Sequence, residues 1–176
     1  MRGKIKLHLG SGSRYLEGWT NVEINREIKA DVYHDLNKFP WPFKTSSVSE
    51  VRMFHLWEHL DYVYEILDEL HRVCKNDAII HMRVPHATRN LTEPVRPMPF
   101  SYAKIIFLLN ENKYKNKFKL ILIKFNDGYQ TATPIGRTIG RIKSGIFNVA
   151  PMFFERNFIY LVNGLEEIEF KLAIKK

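Results

Sequence analysis

The spacing of apolar residues changes abruptly near residue 55, and this change limits the fold more than any other feature of the sequence. Before it, apolar residues come in short alternating runs at 4–9, 19–24, 30–34 and 49–54, as in strands. Seven apolar residues then recur at three- and four-residue steps, the stripe of an amphipathic helix: Leu56, Leu60, Val63, Ile66, Leu67, Leu70 and Val73. A further strand candidate covers 78–84. Short strands that close with strand, helix and strand predict an α/β fold with a doubly wound, mostly parallel sheet.

The second half of the chain is less regular. It holds two helix candidates, at 101–110 and 151–162, and two strand candidates, at 117–125 and 166–174. Residues 127–151 contain four glycines and two prolines, which predict a long irregular connection. The two late strands can pair antiparallel at one edge, so we expect about seven strands.

Positive charge is concentrated in that second half. The formal net charge is +8, of which residues 101–176 contribute +7. Such a field attracts anionic partners, although basic surfaces are also common on proteins that bind no polymer. No apolar run is long enough to span a bilayer and no secretory signal is present, so we expect a cytoplasmic protein without a membrane partner. The lone Cys74 cannot form an internal disulfide, which fits a reducing compartment.

A glycine turn and an acidic residue follow the first two strand candidates. In an open α/β sheet, ligands bind outside the carboxyl ends of the strands. Gly10, Ser11 and Gly12 would let the backbone turn sharply and approach a ligand closely. The Glu23 carboxylate can accept hydrogen bonds from both hydroxyls of a ribose. Each feature has an ordinary alternative, a plain turn and an exposed strand-end glutamate, but their places on successive strands favour a shared ligand.

The next two strand candidates end in further polar side chains. Asp35 can accept from an adenine amino group while the Leu36 N–H reaches a ring nitrogen, although an aspartate here also suits a simple turn. His55 follows the fourth strand, where the pocket wall should lie. His55 and His59 are four residues apart, but no third ligand is evident, so we expect no metal site.

The order of these segments resembles the class I S-adenosylmethionine-dependent methyltransferases, in particular the small type called methyltransferase domain 11. The likeness rests on residues 9–12, 19–23, 35–43 and 55–60. It implies one Rossmann-like domain over 1–176, with a cofactor-binding half (1–86) and an acceptor-side half (87–176). The implied sheet has the strand order 3-2-1-4-5-7-6, mostly parallel with an antiparallel last strand.

The resemblance also assigns roles. It implies S-adenosyl-L-methionine as cofactor, with Glu23 on the ribose, Ile24 packed on the adenine, and His55 and Leu56 near the sulfonium. The implied cofactor-binding residues are Gly10, Ser11, Gly12, Glu23, Ile24, Asp35, Leu36, His55 and Leu56. The sequence departs from the family in lacking helices before the first strand and in a short first crossover. We therefore expect another element to cover the site, either residues 86–100 or a second subunit in a homodimer.

Methyl transfer is an in-line displacement, so the enzyme mainly aligns the acceptor and excludes water. An oxygen acceptor of high pKa also needs a base, for which His86, after the fifth strand, is the first candidate and His55 the second. Acceptor contacts would come from aromatic and basic residues of the second half, unless the aromatic rings belong to the core. These are Tyr102, Lys104, Tyr114, Tyr129, Arg137 and Arg141.

Three functions follow from the sequence. The leading one is a methyltransferase acting on a small molecule or a glycan-like acceptor. The second is a methyltransferase acting on nucleic acid, bound through the basic second half. The third is an NAD-dependent oxidoreductase or a non-catalytic nucleotide-binding module. The third is disfavoured because the glycine turn lacks the last glycine of the dinucleotide fingerprint, and because Glu23 follows Gly10 too soon.

Overall fold

Seven strands form one mixed sheet in the order β3-β2-β1-β4-β5-β7-β6. The computed structural model describes residues 5–90, 99–127, 133–158 and 164–176. The strands are Ile5–Leu9 (β1), Thr20–Glu23 (β2), Val32–Tyr33 (β3), Val48–Phe54 (β4), Cys74–Pro85 (β5), Phe118–Asn126 (β6) and Glu167–Ile174 (β7). Strands β1 to β5 are parallel, and β7 is antiparallel to both β5 and β6. The predicted fold class and strand order are confirmed.

The winding of the chain places the helices mainly on one side of the sheet. The chain moves in one direction from β1 through β2 to β3, and in the other direction from β4 to β5. Because parallel crossovers share one hand, these two sets of connections lie on opposite faces. The β4–β5 connection carries the helix Val63–Val73 (α1), whereas residues 10–19 and 24–31 form turns without a helix.

The side chains of the strands match this asymmetry. On one face, alternate positions are apolar and buried: Leu7, Leu9, Val22, Val51, Met53, Ile80, Met82, Val84, Ile168, Phe170 and Leu172. On the other face, polar side chains stand in register across four strands, in the row His8, Arg52, His81 and Lys171. Where no helix covers the sheet, the sequence therefore supplies polar side chains instead of apolar ones.

The remaining helices gather around the β6 end of the sheet. They are Ala87–Asn90 (α2), Tyr102–Asn110 (α3), Pro134–Val149 (α4) and Pro151–Asn157 (α5). The N-cap side chain of Thr133 accepts a hydrogen bond from Gly136 N–H, and Pro134 stands in the first turn of α4. The Asn148 side chain accepts from Phe125 N–H at 2.7 Å and donates to the Phe125 carbonyl at 2.9 Å. These bonds fix α4 to the outermost strand.

Four predicted elements need correction. The irregular connection expected over 127–151 is wrong, because α4 occupies most of it. The helix expected from Leu56 is also wrong at its start: a single 3₁₀ turn, Trp57–His59, precedes α1, which begins only at Val63. Strand β5 begins at Cys74, directly after α1, rather than at 78. The predicted helix over 151–162 ends at Asn157 as α5, and residues 159–163 lie outside the described residues.

Among the described residues, no helix is long and apolar enough to cross a membrane. The same part of the chain contains no cluster of three or more side chains suited to a metal ion.

Candidate functional site

A cleft of about 170 Å³ lies at the carboxyl ends of β1 to β4. Six of the predicted cofactor-binding residues line it: Gly10, Glu23, Ile24, Asp35, Leu36 and Leu56. Five lining residues were not predicted: Val22, His34, Asn37, His59 and Leu60. Most of these are sequence neighbours of predicted ones, so widening each motif by one or two positions would have found them. The structure thus brings residues from successive strand ends to one place.

The glycine turn has the conformation that only glycine adopts readily. Gly10 and Gly12 have φ values of +62° and +50°, in the left-handed region. A Cβ atom on Gly10 would lie 2.8 Å from Leu56 Cδ1, so a larger residue would also collide with the cleft wall. The neighbouring Ser11 is buried, and its hydroxyl has no hydrogen-bond partner among the described residues. A buried, unpartnered hydroxyl beside a cleft fits a site that receives a polar ligand.

Glu23 joins the end of β2 to the glycine turn. Its Oε2 accepts from Gly12 N–H at 2.8 Å, and its Oε1 accepts from the N–H groups of Ile24 and Asn25 at 2.9 and 3.2 Å. A carboxylate offers about four acceptor positions, so three are already in use. Glu23 can therefore accept from one ribose hydroxyl without losing a backbone contact. Accepting from both hydroxyls, as predicted, requires a backbone N–H to be released.

Asp35 lies on the cleft and also forms a turn. Its Oδ1 accepts from Asn37 N–H at 3.0 Å, and its Oδ2 lies 3.8 Å from Lys38 Nζ. The carbonyl of the adjacent Leu36 accepts from the Trp41 indole at 3.1 Å, which fixes the backbone beside the cleft. Acceptors on Glu23 and Asp35, with the apolar Ile24 between them in the chain, suit a ligand with a hydroxylated part and a flat, amino-bearing part.

His55 stands next to the cleft but points away from its lining. Its backbone has a φ of +52°, its Nε2 lies 2.8 Å from Glu167 Oε2, and its Nδ1 lies 3.7 Å from Glu58 Oε1. The hydrogen bonds to Glu167 and then Glu58 raise the pKa of His55 to about 9, against the opposing effect of burial. At neutral pH the imidazole is therefore protonated and held between two carboxylates.

His86 is placed differently from His55. It is buried, with Nδ1 2.8 Å from Thr88 Oγ1 and Nε2 3.1 Å from Glu155 Oε1 on α5. Glu155 also accepts from the first N–H groups of α3, those of Tyr102 and Ala103. Burial raises the pKa of Glu155, but the contacts with His86 and the two N–H groups outweigh it and lower the pKa overall. The structure does not bring His86 to the cleft lining.

The aromatic residues expected to contact an acceptor are mostly in the core. Tyr114 is fully buried and stacks on Tyr64 with ring centroids 6.0 Å apart, so its expected acceptor role is wrong. The Tyr102 ring packs on Phe125 at 5.9 Å. Tyr129 lies outside the described residues.

A second, polar pocket of about 360 Å³ lies where β5, β6 and β7 approach α4. Its lining is polar and includes charges of both signs. The lining residues are Arg83, Lys124, Asn126, Asp127, Arg141, Ser144, Glu167 and Glu169. Asn126 donates to both Glu167 and Glu169 at 2.9 Å, and Arg83 lies 3.1 Å from Glu169. Of this group only Arg141 was singled out from the sequence, because the other residues come together only when β7 pairs between β5 and β6.

The two pockets are connected through one pair of side chains. His55 directly precedes Leu56 of the first cleft, and its partner Glu167 lines the second pocket. Burial raises the pKa of Glu167, whereas hydrogen bonds from His55 and Asn126 lower it by more. The carboxylate therefore stays ionised beside the protonated imidazole.

Strand order, winding and the turn after β1 define the fold: it is the Rossmann-like fold of the class I S-adenosylmethionine-dependent methyltransferases. No protein-family model matches the sequence, and no curated protein does. Among solved structures, a S-adenosylmethionine-dependent methyltransferase from Archaeoglobus fulgidus superposes with a TM-score of 0.64 at 17% identity, over 98% of this chain and 86% of that one.

Two further solved structures show that this fold occurs in enzymes with different reactions. A geranyl diphosphate C-methyltransferase from Streptomyces coelicolor, solved with S-adenosyl-L-homocysteine, has a TM-score of 0.60 at 11% identity, over 98% of this chain and 73% of its own. The [4+2]-cyclase SpnF has a TM-score of 0.61 at 10% identity, over 98% and 76%. At such identities the likeness establishes the fold, and the reaction must be argued from the site.

Proposed function

We propose that this protein is an S-adenosylmethionine-dependent methyltransferase that binds its cofactor in the cleft of about 170 Å³. One observation carries the proposal: Gly10, Glu23 and Asp35, from three neighbouring strand ends, line that single cleft. The S-adenosyl-L-homocysteine in the Streptomyces coelicolor structure supports the choice of cofactor. We also propose a cytoplasmic location, supported only by the free, buried thiol of Cys74.

When bound, the cofactor supplies an electrophilic methyl group on a sulfonium. The residues of this chain would then bind and orient it. The remaining acceptor position of Glu23 would hold one ribose hydroxyl, Ile24 would cover the adenine, and Asp35 would accept from its amino group. Leu56, packed against Gly10, would exclude water from one wall of the cleft.

The acceptor would bind in the polar pocket. Its mixed charges and amide favour a polar, hydroxylated small molecule or a glycan-like acceptor over an apolar one. Of the two candidate bases, His55 contacts Glu167 of the polar pocket and directly precedes Leu56 of the cleft, whereas the ring contacts of His86 are with Thr88 and Glu155, which line neither pocket. Because the pKa of His55 is raised to about 9 by Glu167 and Glu58, its role at neutral pH would be to hold the Glu167 carboxylate in place beside the acceptor rather than to act as a base.

Nucleic acid remains a second candidate acceptor, because residues 101–176 carry a net charge of +7. A phosphate backbone bound through this surface would give a steep fall of affinity with salt concentration. Small hydroxylated acceptors would show little of that dependence.

Thermal melting with three ligands in parallel tests the proposal. S-adenosylmethionine and S-adenosylhomocysteine at about 100 times their dissociation constants should each add about 2.7 kcal/mol and raise Tm by roughly 5–10 °C. NAD should have no effect. A shift with NAD alone would replace the methyltransferase with a nicotinamide-dependent enzyme, and no shift with any of the three would reject a nucleotide site altogether.

A further inference from the structure

Helix α4 exposes a continuous apolar stripe. Ile135, Ile139, Ile142, Ile146 and Val149 follow one another at steps of four, three, four and three residues. This spacing keeps side chains on one side of a helix. All five are between 50% and 83% exposed, although β-branched residues are usually buried. The body of the protein is contacted by a different side of α4, which carries the buried Gly140 and Phe147.

The stripe continues into an apolar groove between α4 and α5. The groove has a volume of about 700 Å³ and is lined by Ile139, Ile142, Lys143, Ile146, Phe147, Phe154 and Phe158. Phe153, which packs edge-on against Phe154 at 5.5 Å, is more than half exposed beside it. Isolated exposed apolar residues are common, but a contiguous set of this extent marks an interaction surface.

The surroundings of this surface are positively charged. Helices α4 and α5 carry four basic residues, Arg137, Arg141, Lys143 and Arg156, against one acidic residue, Glu155. Lys143 is paired with the buried side chain of Asp127, which precedes α4, so the excess of positive charge comes from the three arginines. Glu155 is buried and binds His86 and the start of α3, so its charge is directed inward. A partner that binds the stripe must therefore present an apolar surface together with negative charge.

We propose that α4 and α5 form a peripheral membrane-binding surface, which inserts the isoleucine stripe and Phe153 into bilayers that contain anionic phospholipid. A helix with an apolar side, basic residues beside it and no acidic residue of its own is the usual interfacial type. Such binding needs no spanning segment, so the proposal replaces the expectation of no membrane partner.

A second copy of this chain fits the stripe less well than a bilayer does. Pairing two α4 helices along the stripe would place Arg137 and Arg141 of both copies beside the same seam. Paired helices usually set opposite charges there, and α4 has no acidic residue to provide them. Charge complementarity therefore favours an anionic lipid surface.

Vesicle co-sedimentation tests the proposal with the full chain. Phosphatidylcholine vesicles are compared with vesicles of phosphatidylcholine and phosphatidylserine at about 3:1. We expect binding to the anionic vesicles only, with at least a tenfold loss of affinity in the double variant Ile139→Ser/Ile142→Ser. The matched control is Ile121→Ser, because Ile121 is a half-exposed isoleucine on β6, outside the stripe. Arg137→Gln/Arg141→Gln should reduce the preference for anionic lipid.

Three results would overturn the proposal. The first is no binding of the unchanged chain to anionic vesicles at low salt. The second is equal binding by the unchanged chain and the double isoleucine variant, since attraction would then be purely electrostatic. The third is a dimer, measured by light scattering, that the isoleucine substitutions dissociate, since the stripe would then be a subunit interface. Melting curves of each variant confirm folding, and cofactor-induced stabilisation, which concerns another part of the molecule, tests the methyltransferase proposal separately.

Discussion

At the scale of single residues, Glu23 has a structural role and also lies in the proposed cofactor cleft. Its carboxylate accepts three backbone N–H groups, one from the glycine turn and two from the loop after β2. The same side chain lines the proposed cofactor cleft. Its removal must therefore affect folding and binding together, and the two effects have to be measured separately.

We predict that Glu23→Ala weakens binding of S-adenosylhomocysteine by on the order of 1–3 kcal/mol, the range for removing one partner of buried polar groups. It should also lower Tm, because Gly12 N–H loses its acceptor. Calorimetric titration well below Tm isolates the binding loss. Glu27→Ala, an exposed glutamate in the same loop, is the control and should change neither quantity. Unchanged affinity in Glu23→Ala would show that this carboxylate does not hold the ligand.

At the scale of elements, His86 and Glu155 join three parts of the fold. His86 follows β5, Glu155 belongs to α5, and Glu155 caps the first N–H groups of α3. A buried carboxylate at a helix N-terminus is favoured by the helix dipole as well as by its hydrogen bonds. The pair therefore holds the acceptor-side helices on the sheet.

Glu155→Ala should destabilise the protein by about 3 kcal/mol, because it leaves buried His86 and the first two N–H groups of α3 without their acceptor. The expected fall in Tm is roughly 6–12 °C. Glu155→Gln retains one acceptor oxygen and should lose less. Both variants should bind S-adenosylhomocysteine normally at low temperature, since Glu155 does not line the cleft. A loss of affinity without a loss of stability would assign the pair to the site instead of to the scaffold.

At the scale of the whole molecule, the His55–Glu167 contact ties two halves of the sheet. It links the residue after β4 to the first residue of β7, and β5 lies between these strands. The contact thus joins the half that carries the proposed cofactor cleft to the half that carries the polar pocket. The contact responds to mildly alkaline pH, because the pKa of His55 is raised to about 9.

Because the pKa of His55 is raised from an ordinary value of about 6.5 to about 9, its stabilising contribution is complete below about 6.5. That contribution is lost as pH rises through 9. Allowing for a side chain that is one-third exposed, we expect the free energy of unfolding to fall by on the order of 1 kcal/mol between pH 7 and 9.5. Urea denaturation across this range measures the fall.

His55→Asn is the matched variant, because asparagine tolerates the left-handed backbone at this position. Burial raises the pKa of the Cys74 thiol to about 12, so this thiol also reduces stability above pH 8.5 or so. The difference in free energy of unfolding between the unchanged chain and His55→Asn isolates the contribution of the imidazole. Parallel curves for the two chains would mean that the ion pair does not contribute.

The sequence predicted those candidate site residues whose positions follow from the order of the strands. Once the strands are assigned, parallel winding alone brings Gly10, Glu23 and Asp35 to one edge, so this cleft could be predicted. The polar pocket could not, because Arg83 and Glu169 meet only through antiparallel pairing of distant strands. Helix α4 was missed because its glycines suggested a loop, although the isoleucine spacing and the Thr133–Pro134 start are signals from which the helix could have been predicted.

The two hydrogen bonds between Asn148 and the backbone of Phe125 lower the tendency of this chain to aggregate. A sheet edge with free backbone groups invites pairing with another molecule, and native proteins shorten or cover such edges. At one end β3 has only two residues, while at the other β6 has nine, including four successive apolar ones at 120–123. By anchoring α4 to β6, Asn148 helps to cover the edge from which fibrous aggregation would otherwise begin.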